Sequence, residues 1–256
     1  MKEKGIVPTI AVIRVGERED DLSYERGLTK RFDAVGAIVI NKVLPVDVPE
    51  DKLIETINEC NEDNSIHGIL LFRPLPGHIN EKKVIELVSP RKDVDCMCME
   101  NVAHTFIQDK LGHEPCTPQA VMELLDFYNI DLTGKKVVIV GRSMVVGKPL
   151  AMMMLKKNAT VTICHTKTKD LMAECRAADI VVACAGVAKM LNKDYISENT
   201  TVIDVGINVV DGKLCGDVDY ESIVDVADAA TPVPGGVGTV TTSVLLKHTV
   251  WSAEQI

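Results

Sequence analysis

The first residues able to do chemistry form a glycine-containing loop behind a predicted strand. The sequence predicts a strand at Lys136–Val140, and the loop GRSMVVG, residues 141–147, follows it directly. Gly141 allows a tight turn out of the strand, and Gly147 lets the following helix pack closely. The start of such a helix presents free N–H groups and the positive end of the helix dipole to an anion. The loop therefore predicts a pyrophosphate site, but it is not a strict G-x-G-x-x-G, and a plain strand–turn–helix connection is the alternative.

The loop after the next predicted strand bears on the choice of nucleotide. A site for NAD usually carries an acidic side chain there, roughly 20 residues after the glycine loop, to bind the ribose hydroxyls. This sequence instead has His165, Thr166 and Lys167, and Arg142 lies in the first loop. Because cations and hydroxyls suit a 2′-phosphate, the sequence favours NADP, with NAD still possible. For His165 and Lys167, the alternative is an ordinary solvated loop.

The cysteines predict neither a metal site nor a disulfide framework. Eight cysteines in 256 residues are too sparse for a disulfide-stapled domain. Cys164 and Cys184 lie in apolar runs, where a reduced thiol acts as a small hydrophobic group. Cys96 and Cys98 lack a second ligand pair at zinc-like spacing. We therefore expect reduced thiols and no metal, as is typical of the cytoplasm.

The composition is that of an ordinary globular protein with an acidic balance. Hydrophobic residues are 46% and charged residues 25% of the chain, and 28 basic against 37 acidic side chains give a net charge of −9. This balance argues against a nucleic-acid partner, which would need a basic surface. Apolar runs fall short of the roughly 18 residues of a membrane span, and the start lacks the apolar core of a secretory signal. We expect a cytoplasmic protein without a membrane or nucleic-acid partner.

Apolar, β-branched runs alternate with amphipathic segments of helical length along the chain. This alternation predicts an α/β fold with a parallel sheet covered on both faces. The predicted strands are Thr9–Val15, Ala37–Val43, Gly68–Phe72, Lys136–Val140, Thr160–Cys164, Asp179–Ala183 and Thr201–Val205. The predicted helices are Asp51–Asn61, Pro118–Tyr128, Lys148–Lys157, Leu171–Ala177 and Val237–Trp251.

Two proline-containing joints divide the chain. The segment EPCTP, residues 114–118, ends one α/β set, and we expect Thr117 to cap the helix that Pro118 opens. The segment TPVPGGVG, residues 231–238, ends the second set. The chain thus crosses twice between two predicted domains, residues 1–117 with 237–256 and residues 118–236. A ligand site is expected in the cleft between them.

Five motifs in order give the chain a family resemblance. They are PLPGH, KDVD, PCTP, GRSMVVGKP and TPVPGGVG. With them the chain resembles the methylenetetrahydrofolate dehydrogenase/cyclohydrolase family over nearly its whole length. The resemblance implies a homodimer with an N-terminal folate-binding catalytic domain, a Rossmann-like NAD(P) domain and a C-terminal helix that returns to the first domain. The family usually has a further helix before its first strand, so the start of this chain looks shortened.

The resemblance also implies roles for individual residues. Asp95 would bind the pterin edge of a tetrahydrofolate derivative, since a carboxylate can accept paired N–H donors, and Tyr24 would lie over the substrate. The alternatives are a loop cap for Asp95 and a core aromatic for Tyr24. Pro232, Gly235 and Gly236 would line the cleft near both ligands. The implied cofactor-binding residues are Gly141, Arg142, Ser143, Val146, Gly147, His165, Thr166 and Ile207.

The sequence departs from the family where the family's catalytic lysine stands. That lysine follows the tyrosine by four residues on the same helix face, and this chain has Leu28 there. The glutamine that contacts the lysine in the family is Phe72 here. Lys30 would lie on another side of the helix, and Arg31 stays protonated, so neither is expected to serve as a general base.

The replacement of the family's lysine by Leu28 should affect only one of the family's two reactions. Hydride removal from methylene-tetrahydrofolate needs mainly positioning, whereas hydrolysis of the methenyl product needs general acid–base catalysis. We therefore expect an NADP-dependent methylenetetrahydrofolate dehydrogenase whose cyclohydrolase activity is weak or lost. The alternatives are a full bifunctional enzyme with a substitute group such as Arg31, Arg73 or Asp21, a folate- or nucleotide-binding pseudoenzyme, and a related dehydrogenase with another small substrate.

Overall fold

A computed structural model describes residues 5–109 and 111–255 of the chain. The chain divides into two compact units, Met1–Cys116 with Thr242–Ile256 and Thr117–Thr241. Each unit contains its own parallel sheet, so the predicted two-domain α/β fold is confirmed. The units divide after residues 116 and 241, whereas the sequence predicted boundaries after 117 and 236.

The first unit is built on three parallel strands with helices around them. Its elements are β1 (Thr9–Val15), α1 (Glu19–Asp33), β2 (Ile38–Leu44), α2 (Glu50–Glu62), β3 (Gly68–Leu71), α3 (Glu81–Ile85) and α4 (Met99–Ile107). The strand order is β2–β1–β3. The central strand β1 is buried at every position, whereas the edge strand β2 has no fully buried residue. One core cluster joins β1 and β3 to α2 through Ile13, Leu71, Leu53 and Ile57.

The second unit is built on five parallel strands of order β10–β7–β6–β4–β5. Its elements, with the helices that bound it, are α5 (Cys116–Phe127), β4 (Lys136–Val140), α6 (Gly147–Lys156), β5 (Thr160–Cys164), α7 (Leu171–Arg176), β6 (Ile180–Ala183), β7 (Thr201–Asp204), β8 (Asn208–Val210), β9 (Lys213–Cys215), α8 (Tyr220–Ile223), β10 (Ala229–Ala230) and α9 (Val237–Gln255). Strands β8 and β9 form a separate antiparallel hairpin. No helix in the described part of the chain is long and apolar enough to cross a membrane.

The apolar runs of the sequence located the buried strands closely. All seven predicted strands are present, each with its ends within one residue of the prediction. The hairpin β8–β9, strand β10 and the helices α3, α4 and α8 were not predicted, and α1 was expected only from the family resemblance. Strands β8, β9 and β10 have two or three residues each, which is too short to show a period.

One local prediction is wrong. Thr117 does not cap the helix after the first joint, because α5 begins at Cys116 and Thr117 lies inside it. The N–H group of Cys116 instead donates to Oδ1 of Asp95 at 3.3 Å. A carboxylate 21 residues earlier in the chain thus satisfies one of the N–H groups that a helix start leaves without a partner.

Candidate active site

The KDVD segment forms a loop wound around one buried carboxylate. Asp93 is fully buried, and its oxygens accept hydrogen bonds from the N–H groups of Met97 at 2.8 and 2.9 Å and Cys98 at 2.9 Å. The Lys92 ammonium is also buried and donates to three main-chain carbonyls at the end of α2. Lys92 and Asp93 therefore build the loop, and Asp95 is the KDVD side chain left for chemistry. In the sequence only the family resemblance separated these roles, since all three residues are charged.

The carboxyl group of Asp95 is partly buried beside the start of α5. Its Oδ1 accepts the Cys116 N–H, so the predicted alternative of a cap is part of what Asp95 does. Burial raises the pKa of Asp95, and the Cys116 contact and the positive charge of Arg73 only partly oppose that rise. An ionised Asp95 would therefore gain from further N–H donors, which is the chemistry expected of a ligand-binding carboxylate.

Tyr24 lies on α1 and packs against the residue that follows β3. The rings of Tyr24 and Phe72 are 5.8 Å apart between centroids and meet at 82°, edge to face. Burial raises the pKa of Tyr24 well above its ordinary value, and the negative charge of Asp95 raises it further. Because charge interactions weaken with distance, these effects place the tyrosine hydroxyl in the neighbourhood of Asp95. Tyr24, Phe72 and Asp95 are thus brought together in the first unit.

Leu28 lies one helical turn after Tyr24 and is fully buried. An apolar side chain at this position supplies no proton donor or acceptor. Lys30 and Arg31, the cations that follow Leu28 on α1, are both exposed. In the described structure, the face of α1 that carries Tyr24 and Leu28 therefore has no lysine.

One ion pair joins α1 to β1, and a second lies at the start of α1. Arg14 of β1 is buried and pairs with Glu25 at 3.0 Å, while Arg18 pairs with Asp21 at 3.2 Å. Arg18 also donates to the Pro74 carbonyl at 3.1 Å, which ties α1 to the turn after β3. Burial raises the pKa of Asp21, and the two arginines oppose this rise. Asp21 is therefore a paired structural carboxylate on the helix that carries Tyr24.

In the second unit, the glycine loop connects β4 to α6 without room for side chains at two positions. Gly141 has φ +140° and would place a Cβ against the Cys184 carbonyl, and a Cβ on Gly147 would collide with the Gly141 carbonyl. Ser143 closes the turn, since its Oγ accepts the Val146 N–H at 3.0 Å. Helix α6 begins at Gly147. This side-chain-free helix start fits a pyrophosphate.

The loop after β5 lies next to the glycine loop, because β4 and β5 are paired and the Gly141 N–H donates to the Cys164 carbonyl at 2.9 Å. His165 orders this loop: its N–H donates to Thr168 Oγ1 at 2.9 Å, and its Nδ1 accepts the Lys167 N–H at 3.1 Å. Thr166 and Arg142 are exposed, and the Arg142 side chain makes no hydrogen bond or ion pair with other described residues.

Two buried carboxylates that sequence reasoning did not single out shape the loops after β6 and β7. Asp217 accepts from the three consecutive N–H groups of residues 185–187 at 2.6 to 2.9 Å. Asp204 accepts from the N–H groups of Gly206, Asp217 and Val218, and burial raises its pKa to about 6. Between these anchors Ile207 is exposed. The only signal in the sequence was the position of Asp204 at a strand end.

The second joint is attached to β7 by Thr231. The Thr231 N–H donates to the Val202 carbonyl at 3.0 Å, and Thr231 Oγ1 accepts the Asp204 N–H at 2.8 Å. Pro232 and Gly235 are exposed, whereas Gly236 is buried and packs on the Pro232 carbonyl. Their place in a substrate cleft stays a prediction.

The fold and the two groups of candidate site residues indicate a class of enzyme. One unit is a parallel-sheet nucleotide domain with a glycine-lined helix start, and the other brings a tyrosine and a desolvated carboxylate together, as in a two-domain α/β enzyme that uses a dinucleotide. The described residues contain no group of three His, Cys, Asp or Glu side chains placed to hold a metal ion.

Comparison with known proteins makes this class specific. Residues 115–256 match the model for the tetrahydrofolate dehydrogenase/cyclohydrolase NAD(P)-binding domain, and residues 1–95 match the model for the catalytic domain of the same family. The bifunctional protein FolD of Carboxydothermus hydrogenoformans is 49% identical over 257 residues, which cover 99% of this chain and 90% of that protein.

Two solved structures are also similar. The bifunctional enzyme FolD, methylenetetrahydrofolate dehydrogenase/cyclohydrolase, from Campylobacter jejuni has a TM-score of 0.96 at 42% identity and covers 99% of this chain and 90% of that chain. The methylenetetrahydrofolate dehydrogenase-cyclohydrolase of Trypanosoma brucei, complexed with NADP and an inhibitor, has a TM-score of 0.94 at 35% identity and covers 99% and 89%.

The chain belongs to the tetrahydrofolate dehydrogenase/cyclohydrolase family. The predicted family, the α/β fold class and the presence of an NAD(P)-binding domain in an enzyme are confirmed. The roles of individual site residues stay predictions.

Proposed function

We propose that this protein catalyses NADP-dependent oxidation of methylene-tetrahydrofolate to methenyl-tetrahydrofolate and hydrolyses the methenyl product weakly or not at all. The observation that carries the proposal is Leu28, a fully buried apolar side chain one turn after Tyr24.

Asp95 is proposed to bind the pterin edge. Its pKa is raised by burial, so two parallel N–H donors from a ligand would supply the stabilisation that water no longer gives. Tyr24, held edge to face against Phe72, would cover the substrate ring. Both groups position the substrate, which is the main requirement of the oxidation.

The glycine loop is proposed to hold the cofactor. The main-chain groups of Gly141, Ser143 and Gly147 would take the pyrophosphate, and Arg142 with Thr166 would bind the 2′-phosphate. NADP, when bound, supplies the hydride acceptor. Val146, His165 and Ile207 are proposed to shape the remaining contacts, with Pro232, Gly235 and Gly236 lining the cleft.

Hydrolysis of the methenyl product needs a group that moves protons to and from water and the pterin nitrogen. Leu28 and Phe72 occupy the positions where the family has a lysine and its glutamine partner, and neither carries such a group. The absence of a general acid–base group typically costs about 10²–10⁴-fold, so the methenyl product should leave the enzyme unhydrolysed.

A second candidate is the full bifunctional enzyme, because the relative from Carboxydothermus carries a bifunctional name. Its proton carrier would then be a substitute such as Asp21 or Arg73. Asp21 is paired with Arg18 at 3.2 Å, and a guanidinium stays protonated. Both features favour the first candidate.

The deciding experiment mixes the protein with methylene-tetrahydrofolate and NADP and follows the absorbance of NADPH and of methenyl-tetrahydrofolate together. The two signals should rise in step, and the methenyl signal should then decay no faster than in buffer. Rapid decay would establish the bifunctional enzyme, and no rise of either signal would leave a binding protein without this activity.

We further propose that the protein works as a cytoplasmic homodimer, with a folate domain of residues 1–117 and 237–256 and a cofactor domain of residues 118–236. Neither a membrane nor nucleic acid is expected as a partner, in keeping with the acidic balance.

A further inference from the structure

The peptide group that joins Val94 to Asp95 is held by two side chains from outside its own loop. The Val94 carbonyl accepts a hydrogen bond from Nδ1 of His248 at 2.8 Å and from the Cys116 thiol at 3.2 Å. Both side chains are buried. Because a peptide group is planar and rigid, fixing this carbonyl also fixes the nitrogen and Cα of Asp95.

The chain on the other side of Asp95 is constrained as well. Cys96 has φ +55°, a left-handed conformation that residues other than glycine seldom adopt. Its sulfur lies 3.6 Å from Thr105 Oγ1. Such a conformation persists only where the surroundings determine it firmly, so Asp95 lies between two fixed points of the main chain.

The imidazole of His248 is itself held in one orientation. It stacks on His113 with ring centroids 4.8 Å apart, and His113 meets the edge of Trp251 at 4.7 Å. Ser252 donates its hydroxyl hydrogen to the Arg91 carbonyl at 3.0 Å, so His113 Nε2, 2.8 Å from the same hydroxyl, is the donor to it. The stacked pair leaves His248 little freedom to leave the Val94 carbonyl.

We propose that His248 is a positioning residue for the folate substrate, which it serves by fixing the peptide group before Asp95. Its Nδ1–H holds the Val94 carbonyl, and the carboxylate of Asp95 is thereby aimed for paired N–H donors of a pterin. The inference rests on the proposed function of Asp95. It assigns a binding role to a residue of α9 that touches neither ligand.

The test compares two substitutions at this position. His248→Asn keeps an N–H donor close to the place of Nδ1, whereas His248→Leu removes it. Loss of one hydrogen bond corresponds to about a 3- to 10-fold change in an equilibrium constant. The Leu variant should therefore bind tetrahydrofolate about 3- to 10-fold more weakly by isothermal titration calorimetry, with KM raised similarly, and the Asn variant should stay within about twofold. NADP affinity should not change in either variant.

Glu254→Gln is the control, because it changes an exposed side chain of the same helix outside the His248 cluster, and it should leave tetrahydrofolate affinity unchanged. If His248 acts through Asp95, then His248→Leu should cause almost no further loss of tetrahydrofolate affinity in a protein that already carries Asp95→Asn. If His248→Leu does not fold, His248→Gln replaces it, since its longer side chain moves the amide away from the Nδ1 position.

The two proposals fail in different ways. An unmodified protein that does not bind tetrahydrofolate would refute the proposed function. An unmodified protein that binds it, with Leu and Asn variants of equal affinity or with additive effects of His248 and Asp95, would refute the role of His248 alone.

Discussion

The candidate cofactor site of the second unit and the proposed folate site of the first unit are built differently. In the second unit, the cofactor loop consists of main chain, and its shape depends on Gly141 and Gly147, where a Cβ would collide with a neighbouring carbonyl. In the first unit, the proposed folate site consists of side chains from separate elements: Tyr24 on α1, Phe72 after β3 and Asp95 in the loop before α4.

This difference bears on how each site tolerates substitution. A main-chain site depends on its glycines, so a substitution at one of them destroys the shape itself. A side-chain site can lose one chemical group and keep its shape, and the proposed function assumes such a loss at Leu28 and Phe72, which are both buried and apolar. The comparison therefore predicts separable effects, in which the first unit can be changed in chemistry without changing cofactor binding.

The largest expected effect is a gain of hydrolysis. Leu28→Lys combined with Phe72→Gln should raise methenyl hydrolysis by about 10²–10⁴-fold over the unmodified protein. The new ammonium enters a fully buried position, where desolvation lowers a lysine pKa toward the range of a general base. The glutamine amide gives it a polar partner. The measurement is the decay rate of methenyl-tetrahydrofolate absorbance.

Each single substitution should raise the rate of methenyl hydrolysis less than the pair does, because a lysine without the glutamine lies against an aromatic ring. A double-mutant cycle measures how far the effect of the pair exceeds the two single effects. Thr29→Lys, which adds an ammonium at the adjacent position of α1, is the control and should gain nothing. Equal rates for all variants would remove Leu28 as the cause of the loss.

The next effect tests the carboxylate that both proposals use. Asp95→Ala should lower kcat/KM for methylene-tetrahydrofolate by about 100-fold, the loss expected for charge-assisted hydrogen bonds. NADP affinity should change by less than about twofold, since the glycine loop belongs to the other unit. Steady-state kinetics and cofactor titration measure the two quantities.

Asp47→Ala removes an exposed carboxylate of the same unit and serves as the control for charge. An Asp95→Ala protein that folds and retains its KM for folate would show that Asp95 only caps α5.

The same contrast explains how much the sequence could predict. The strands β1 and β4 and the glycine loop were recognisable because buried apolar runs and glycines act locally, within a few residues. The roles inside KDVD were not recognisable from the residues themselves, and only the family resemblance singled out Asp95, since Asp93 and Asp95 differ in which N–H groups the folded chain brings to each carboxylate. The prediction that Thr117 caps α5 was wrong for the same reason, because the carboxylate that accepts the N–H group at the start of α5 belongs to Asp95, 21 residues earlier.

A smaller effect is expected for cofactor choice. Arg142→Ala should weaken NADP binding about 10-fold or more and NAD binding by less than about twofold, because only NADP offers a 2′-phosphate to the guanidinium. The dissociation constants of both cofactors provide the measurement. Lys156→Ala, which removes an exposed cation at the far end of α6, is the control. Equal losses for both cofactors would assign Arg142 to a shared part of the nucleotide.

The smallest effect concerns stability, and it belongs to the first unit alone. His113 is buried against His248, and burial, followed by the charge of His248, lowers the pKa of His113 to about 3. In the unfolded chain a histidine has a pKa of about 6.5. The folded state therefore favours neutral His113, and the stability that this gives is present above pH 6.5 and is lost as the pH falls toward 3.

His113→Gln keeps an N–H donor toward Ser252 but does not titrate. Between pH 8 and pH 6, titration of this histidine should lower the unfolding free energy of the unmodified protein by about 0.8 kcal/mol. The fall in the variant over the same pH range should be smaller by this amount. Urea unfolding at the two pH values measures the difference. His78→Gln, at an exposed histidine of the same unit, should keep the unmodified slope. An identical slope for His113→Gln would show that His113 does not account for the acid sensitivity.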